Sequence, residues 1–189
     1  MKKFILKGFS IVLVLCVVMS VASCSLGDPF KKFTKKLERE ESCKVTMSFN
    51  VDGVGRVVQI FYVDNNVIYY EGNDTLRTDA YYVEIVDDYL VEYTKNSKGT
   101  WKKSKTENDF NLEENDIFNS DNYIQDPEEK GVYRQKRNVI FEQFEDVVVA
   151  FLDDFVVIEC VMMVDKIEAN VKMVVSNIGE YELNLPDAE

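Results

Sequence analysis

Residues 43–63, CKVTMSFNVDGVGRVVQIFYV, decide the fold class, because their polar and apolar side chains alternate with a period of two. Val45, Met47 and Phe49 are separated by single polar residues, which is typical of a strand with one buried face. The Asp-Gly pair at 52–53 indicates a tight turn. Residues 56–63 are then apolar on nearly both faces, so we expect this strand to be covered on both sides. Two strands joined by so short a turn must be antiparallel.

The same alternation continues along most of the chain. The predicted inward-facing sets are Tyr81, Val83 and Ile85; Tyr89, Val91 and Tyr93; Ile167, Ala169, Val171, Met173 and Val175; and Tyr181, Leu183 and Leu185. The pattern at 131–140 predicts a further strand. Residues 141–145 are interpreted as a helical turn, and residues 147–164 predict a hairpin. Residues 105–130 are polar and acidic, and they predict a loop with one short helical piece.

A short helix is predicted before the first strand. Asp28 is a good N-cap and Pro29 suits the first helical position. Phe30, Phe33 and Leu37 then share one face at helical spacing, and the helix ends by about Ser42. About ten short strands in one sheet will curl or close. The sequence therefore predicts a mainly β (α+β) fold: a strongly curved antiparallel sheet, or half-open barrel, with an N-terminal helix and short helical pieces.

The N-terminus carries an export pattern. Three lysines precede the uncharged run at 8–20, as in the positive and apolar regions of a secretory signal. Val21-Ala22-Ser23-Cys24 follows and resembles the lipobox of bacterial lipoproteins, in which the cysteine thiol takes the diacylglycerol. We predict a signal peptide at 1–23, a lipidated Cys24 with a tether at 24–28, and one domain at 29–189. The alternative is an uncleaved N-terminal anchor with an incidental cysteine.

The predicted tether is short, so the domain must lie close to a bilayer. Four residues span on the order of 14 Å when extended. Lysines so near an anionic surface each contribute about 1 kcal/mol, so Lys31, Lys32, Lys35 and Lys36 are candidates to face the membrane. An ordinary solvated helix face explains them equally well. The expected location is the extracytoplasmic face of the cell membrane, or the outer membrane if the host has two.

Composition excludes several kinds of chemistry. The chain has a formal net charge of −12, so it lacks the basic footprint of a nucleic-acid-binding protein. It contains no histidine, which removes Ser-His-Asp and Cys-His mechanisms and histidine-ligated zinc. No nucleotide-binding motif occurs. We therefore expect no enzyme activity, no cofactor and no metal. Carboxylate pairs such as Asp87-Asp88 and Asp153-Asp154 are interpreted as solvated turns, where aspartate is favoured.

Two further groups of residues leave alternatives open. Cys43 and Cys160 fall at apolar strand positions, where a disulfide and two buried thiols both fit. Aromatic residues on the strands line a ligand cavity in one interpretation and fill the core in the other, since aromatics are common in strands. The candidate cavity residues are Phe61, Tyr69, Tyr81, Tyr89 and Trp101.

The order of these features resembles that of the LolA-like lipoproteins, including the LppX and LprG type. The residues that carry the resemblance are Cys24, the helix from Pro29, Gly99-Thr100-Trp101-Lys102, Gly131-Val132-Tyr133 and the stretch 176–186 ending in Leu185-Pro186. The resemblance implies a half-open antiparallel barrel whose concave face, lidded by helices, holds acyl chains. It implies a membrane-anchored protein that binds a lipid or another hydrophobic ligand. The alternative is a non-enzymatic envelope scaffold that binds a protein partner.

Overall fold

Antiparallel strands make up most of the chain, and a helix packs on one face of the sheet that they form. The computed structural model describes residues 28–51, 55–72, 79–107, 117–141, 144–164 and 167–188. Within those ranges lie eleven strands, one α-helix and a 3-10 turn at Ser120–Asn122. The elements are α1 (Pro29–Glu40), β1 (Ser42–Val51), β2 (Gly55–Asp64), β3 (Val67–Tyr70), β4 (Tyr81–Val86), β5 (Tyr89–Lys95), β6 (Trp101–Glu107), β7 (Tyr123–Gln125), β8 (Val132–Gln135), β9 (Phe144–Phe151), β10 (Val156–Val164) and β11 (Ile167–Ser176).

All eleven strands belong to one sheet, in the order β6-β5-β4-β3-β2-β1-β11-β10-β9-β8-β7. Two meanders meet at its centre, where β1 pairs with β11 and Val45 lies opposite Val175. The edge strands β6 and β7 do not pair, so the sheet is unclosed. The predicted fold class, a mainly β protein built on one antiparallel sheet, is confirmed.

Alternation along each strand defines two faces. On β2, Val57, Phe61 and Val63 are buried, whereas Val58 between them is 40% exposed. We call the side of Phe61 the core face and the opposite side the outer face. The core face also carries Val45 and Met47, and the outer face is only partly covered, which differs from the expectation that β2 is covered on both sides.

Helix α1 packs on the core face through its first turns. The Phe30 amide donates to Asp28 Oδ1 at 2.9 Å, so the predicted N-cap and the helix start are confirmed. The ring centroid of Phe30 lies 4.7 Å from that of Phe151 and 4.9 Å from that of Tyr123. Aromatic pairs at such distances add to the stabilisation from their burial. No described helix has the length and apolar character needed to cross a membrane.

The predicted last strand, residues 181–185, is not a strand. Its backbone has no ladder partner, although its side chains alternate as those of a strand do. Instead, the Tyr181 amide donates to Ser42 Oγ at 3.2 Å and the Leu183 amide donates to Asp64 Oδ2 at 2.7 Å. Side chains of β1 and β2 thus accept hydrogen bonds from two backbone amides of this segment.

The stretch from 131 to 145 also differs from the prediction. Strand β8 ends at Gln135, because the Lys136 amide donates to Asn122 O and the chain then turns. Phe144, placed in a helical turn by the sequence pattern, begins β9. The sequence pattern also missed β7, whose three residues are too few to show a period.

The pairing of β4 with β5 reverses the predicted faces of β5, so that Tyr89, Val91 and Tyr93 do not lie on the core face. Its turn consists of Asp87 and Asp88 alone, and Val86 therefore lies opposite Tyr89. Residues opposite one another share a face, so Tyr89 lies on the outer face with Val86. Leu90, opposite Ile85, lies on the core face instead.

Candidate functional site

The five aromatic candidates divide between the two faces of the sheet. Phe61 and Tyr81 are 0% and 1% exposed and belong to the core face. Tyr69, Tyr89 and Trp101 are partly exposed and lie on the outer face. The five therefore do not line one cavity together.

On the core face, a row of rings crosses three neighbouring strands. Phe61 lies opposite Tyr70, and Tyr70 lies opposite Tyr81. Their ring centroids are 5.1 Å and 4.9 Å apart. Tyr70, which sequence reasoning passed over in favour of its neighbour Tyr69, is fully buried at the centre of this row.

A second core-face row runs beside the rings and contains a buried amide and two thioethers. Gln59 lies opposite Met47, and Met47 lies opposite Met173. All three side chains are at most 2% exposed, and Gln59 Nε2 donates to the Tyr70 hydroxyl at 3.5 Å. Methionine is unbranched and adapts to irregular shapes. The centre of the core face therefore combines deformable apolar side chains with polar groups.

On the outer face, aromatic side chains form a longer row. Tyr62, Tyr69 and Tyr82 lie opposite one another on β2, β3 and β4, with centroid separations of 6.0 Å and 4.7 Å. Trp101 extends the row from Tyr82 at 5.5 Å, and Tyr181 extends it from Tyr62 at 4.9 Å. We call these five residues the outer aromatic row.

Lysines lie over several outer-face rings. Lys44 Nζ is 5.6 Å from the centroid of Tyr62, and Lys95 Nζ is 4.9 Å from that of Trp101. Such cation–π contacts favour a positive charge beside the rings. Burial, followed by the nearby Glu71 carboxylate, raises the pKa of the Tyr62 phenol, so the hydroxyl remains a hydrogen-bond donor over the usual pH range.

Cys43 and Cys160 are buried free thiols, so the disulfide that the sequence allowed is absent. The register explains why. Cys160 lies opposite Val171, and Val171 lies opposite Phe49, which is six positions along β1 from Cys43. At about 3.3 Å per residue the offset is roughly 20 Å, whereas a disulfide needs Cα atoms within about 7 Å. Burial raises the pKa of each thiol to about 12.

The helix lysines differ in exposure. Lys32, Lys35 and Lys36 point to solvent on the side opposite Phe30, and Lys31 is half-buried at the flank. Arg39, which sequence reasoning did not single out, lies on the same exposed side and pairs with Glu40. The proposed lipidation site, Cys24, and its tether up to residue 27 lie outside the described residues.

Two open cavities among the described residues are lined partly by side chains of the hydrophobic core. One, of about 490 Å³, lies across β1, β11, β10 and β9 and contains an ion pair between Lys172 and Glu159 at 2.7 Å. The other, of about 590 Å³, surrounds the turn after β8 and includes Arg134, Arg137 and Ile140. Among the described residues, no group of three or more acidic or cysteine side chains is placed to hold a metal.

No protein-family model matches the chain, and no curated protein matches its sequence.

Proposed function

We propose that the protein is a non-enzymatic lipoprotein, anchored at Cys24 on the extracytoplasmic side of a membrane, that binds a lipid or another hydrophobic ligand on the core face of its sheet. The observation that carries the proposal is the composition of that face. Gln59 and the Tyr70 hydroxyl are enclosed there beside Met47 and Met173.

The architecture supports a LolA-like assignment. An unclosed antiparallel sheet with a helix on one face has the layout in which that group holds acyl chains between the two layers. The gap between β6 and β7 leaves one side of the sheet unpaired. A sheet without that closure can widen more readily than a closed barrel, whose strands are all paired.

The chemistry of the core face suits a long apolar chain with a polar end. Met47 and Met173 can change rotamer to make room, because their side chains are flexible and unbranched. The bond from Gln59 Nε2 to the Tyr70 hydroxyl is long, at 3.5 Å, and long hydrogen bonds are weak. An ester or carboxyl oxygen of a ligand could replace it at little cost.

The first test is mass spectrometry of an organic extract of residues 25–189, purified without detergent from a bacterial host. We expect one lipid per protein. Met47→Phe, which adds volume at the centre of the core face, should reduce the bound lipid. Tyr69→Ala on the outer face should leave it unchanged. A folded, lipid-free wild-type monomer would overturn the carrier proposal.

A second candidate function is favoured by the outer aromatic row. Partly exposed aromatic rings flanked by Lys44 and Lys95 are the kind of surface that protein interfaces use at their centre. In this alternative the protein is an envelope scaffold that binds a protein partner. Cross-linking in native membranes tests it, since Tyr69→Ala with Tyr82→Ala should abolish a partner adduct without removing bound lipid.

A further inference from the structure

Two asparagines lie directly opposite each other on the two central strands of the sheet. Asn50 on β1 is the register partner of Asn170 on β11, and Arg56 on β2 is the partner of Asn50 on its other side. Asparagine is depleted in strands, so a pair of them on neighbouring strands is unusual. Both side chains are exposed, and neither makes a hydrogen bond to another described residue. Their amide groups are therefore available to a ligand.

The two asparagines line the cavity of about 490 Å³ that lies across β1, β11, β10 and β9. A second row of register partners runs beside them: Ser48 lies opposite Lys172, and Lys172 lies opposite Glu159. Ser48 also lies opposite Val58, which belongs to the outer face. Residues opposite one another share a face, as do residues two apart on a strand. Both rows therefore project from the outer face, away from the core face on which lipid is proposed to bind.

A β-bulge shapes the wall that β9 and β10 form. The register of these strands shifts between Glu159 and Val161, and Asp146 at the bulge has φ 51. This left-handed conformation is unfavourable for a residue with a side chain. Bulges re-aim side chains and are frequent beside functional sites. Asp146 lines this wall together with the half-buried Val148 and Val161.

Charges of both signs line the cavity. Arg56 and Lys172 are cationic, Asp146 and Glu159 are anionic, and Lys172 Nζ already pairs with Glu159 at 2.7 Å. Neither sign predominates, so the cavity does not favour a strongly charged ligand such as a phosphate. The charged residues that flank it are also of both signs: Glu168 on β11, Glu145 on β9, and Arg134, Lys136 and Arg137 on the far side of Asp146.

The lining side chains favour a ligand rich in hydroxyl groups. An amide side chain and a serine hydroxyl each donate and accept hydrogen bonds, and a sugar hydroxyl does the same. Val148 and Val161 offer apolar contact to the carbon-bound hydrogens of a sugar ring. A wholly apolar ligand would bury the asparagine amides without partners. A peptide is commonly recognised by strand addition at a sheet edge, whereas the strands around this cavity are all interior.

We propose that this outer-face cavity binds a neutral saccharide, whose hydroxyl groups bond to the side chains of Asn50, Asn170 and Ser48. A volume of about 490 Å³ lies in the range of small-molecule sites. The proposal goes beyond lipid binding, because the two sites lie on opposite faces of the sheet and neither requires the other.

The test uses the full chain, processed in a bacterial host and kept in a polyoxyethylene detergent, because a detergent with a sugar head group would compete. The protein is applied to an array of neutral and anionic oligosaccharides. The neutral glycan that retains most protein is then titrated by calorimetry. We expect neutral glycans to retain the wild-type protein.

The double variant Asn50→Ala with Asn170→Ala should weaken glycan binding by about tenfold or more, because two hydrogen-bonding groups are lost. Thr46→Ala is the matched control and should leave the affinity unchanged. Thr46 lies on β1 and on the same face, opposite Val174, but it does not line the cavity. If the double variant has a lower urea midpoint than the wild type, the exposed Arg56→Ala gives a second comparison from a different strand.

Three outcomes would overturn the proposal. They are no retention on any neutral glycan, equal affinity of the wild type and the cavity variants, and a preference for anionic glycans that depends on the asparagines. Lipid bound on the core face is measured separately by organic extraction and should be the same in all variants. Absence of lipid would overturn the carrier proposal and leave the saccharide site untouched.

Discussion

At the scale of single residues, the two buried thiols determine how the fold responds to base. Burial raises the pKa of Cys43 and Cys160 from 9.0 to about 12. Between these values the unfolded chain releases thiol protons that the native state retains. The free energy of unfolding should therefore fall as the pH rises above about 9, by about 1.4 kcal/mol per thiol for each pH unit.

Urea denaturation at about pH 8 and about pH 10 measures this loss. The double variant Cys43→Ala and Cys160→Ala should lose less stability between the two pH values. The buried Tyr81, whose pKa is also raised, will continue to contribute at the alkaline end. An unchanged slope in the double variant would mean that the thiols are not the titrating groups.

Phe30 joins the helix to the sheet. Its ring is 1% exposed and contacts Phe151, Tyr133 and Tyr123. Replacing a buried phenylalanine by alanine removes apolar contacts and leaves a cavity, so Phe30→Ala should cost about 3–5 kcal/mol. Lys32→Ala, two residues along the helix on its solvent side, should cost less than about 0.5 kcal/mol. Urea midpoints compare the two variants, and equal midpoints would contradict this packing.

At the scale of elements, two glycines with nearly the same backbone conformation have different surroundings. Gly131 has φ +82 and Gly99 has φ +81. A Cβ on Gly131 would lie 3.0 Å from the Phe151 carbonyl oxygen, whereas a Cβ on Gly99 would meet nothing within 4 Å. Gly99→Ala should therefore cost only the strain of a positive φ, about 1 kcal/mol. Gly131→Ala should cost more, as measured by thermal or urea unfolding; equal losses would show that the backbone at Gly131 can shift.

The two-residue period of the strands, the helical spacing of Phe30, Phe33 and Leu37 and the Asp28 N-cap were sufficient to predict the helix and the antiparallel sheet. They fail at Tyr69-Tyr70, where two neighbouring residues are both aromatic and either phase of the alternation fits. Tyr69 was named as a candidate cavity residue, whereas the register with β2 places Tyr70 on the core face opposite Phe61. The face on which a side chain lies is thus set by the pairing of its strand, and the amino-acid composition does not reveal that pairing.

The candidate site was harder to predict than the fold, because it depends on contacts distant in sequence. Gln59 lies beside Met47 and Met173 only because β2, β1 and β11 are neighbours in the sheet.

At the scale of the whole molecule, the uneven charge should determine how the domain lies on a membrane. Replacing Lys31, Lys32, Lys35 and Lys36 with glutamine should weaken the binding of residues 25–189 to anionic vesicles, because each lysine near the surface contributes about 1 kcal/mol. The loss should shrink at high salt. Removing Lys102, Lys103 and Lys105 from the edge strand β6 is the control and should have less effect. Unchanged vesicle binding in the quadruple variant would show that the helix face is only solvated.

The pairing of β1 with β11 at the centre of the sheet has a consequence for the time course of biogenesis. A ribosome makes β1 early and β11 more than a hundred residues later. Until the last strand emerges, one long side of β1 has bare amide and carbonyl groups, and such an edge invites pairing with other chains. Folding of the sheet is thereby coupled to completion of the chain. A polypeptide stalled before β11 should not form a stable partial domain, and it should be a substrate for chaperones and quality-control proteases.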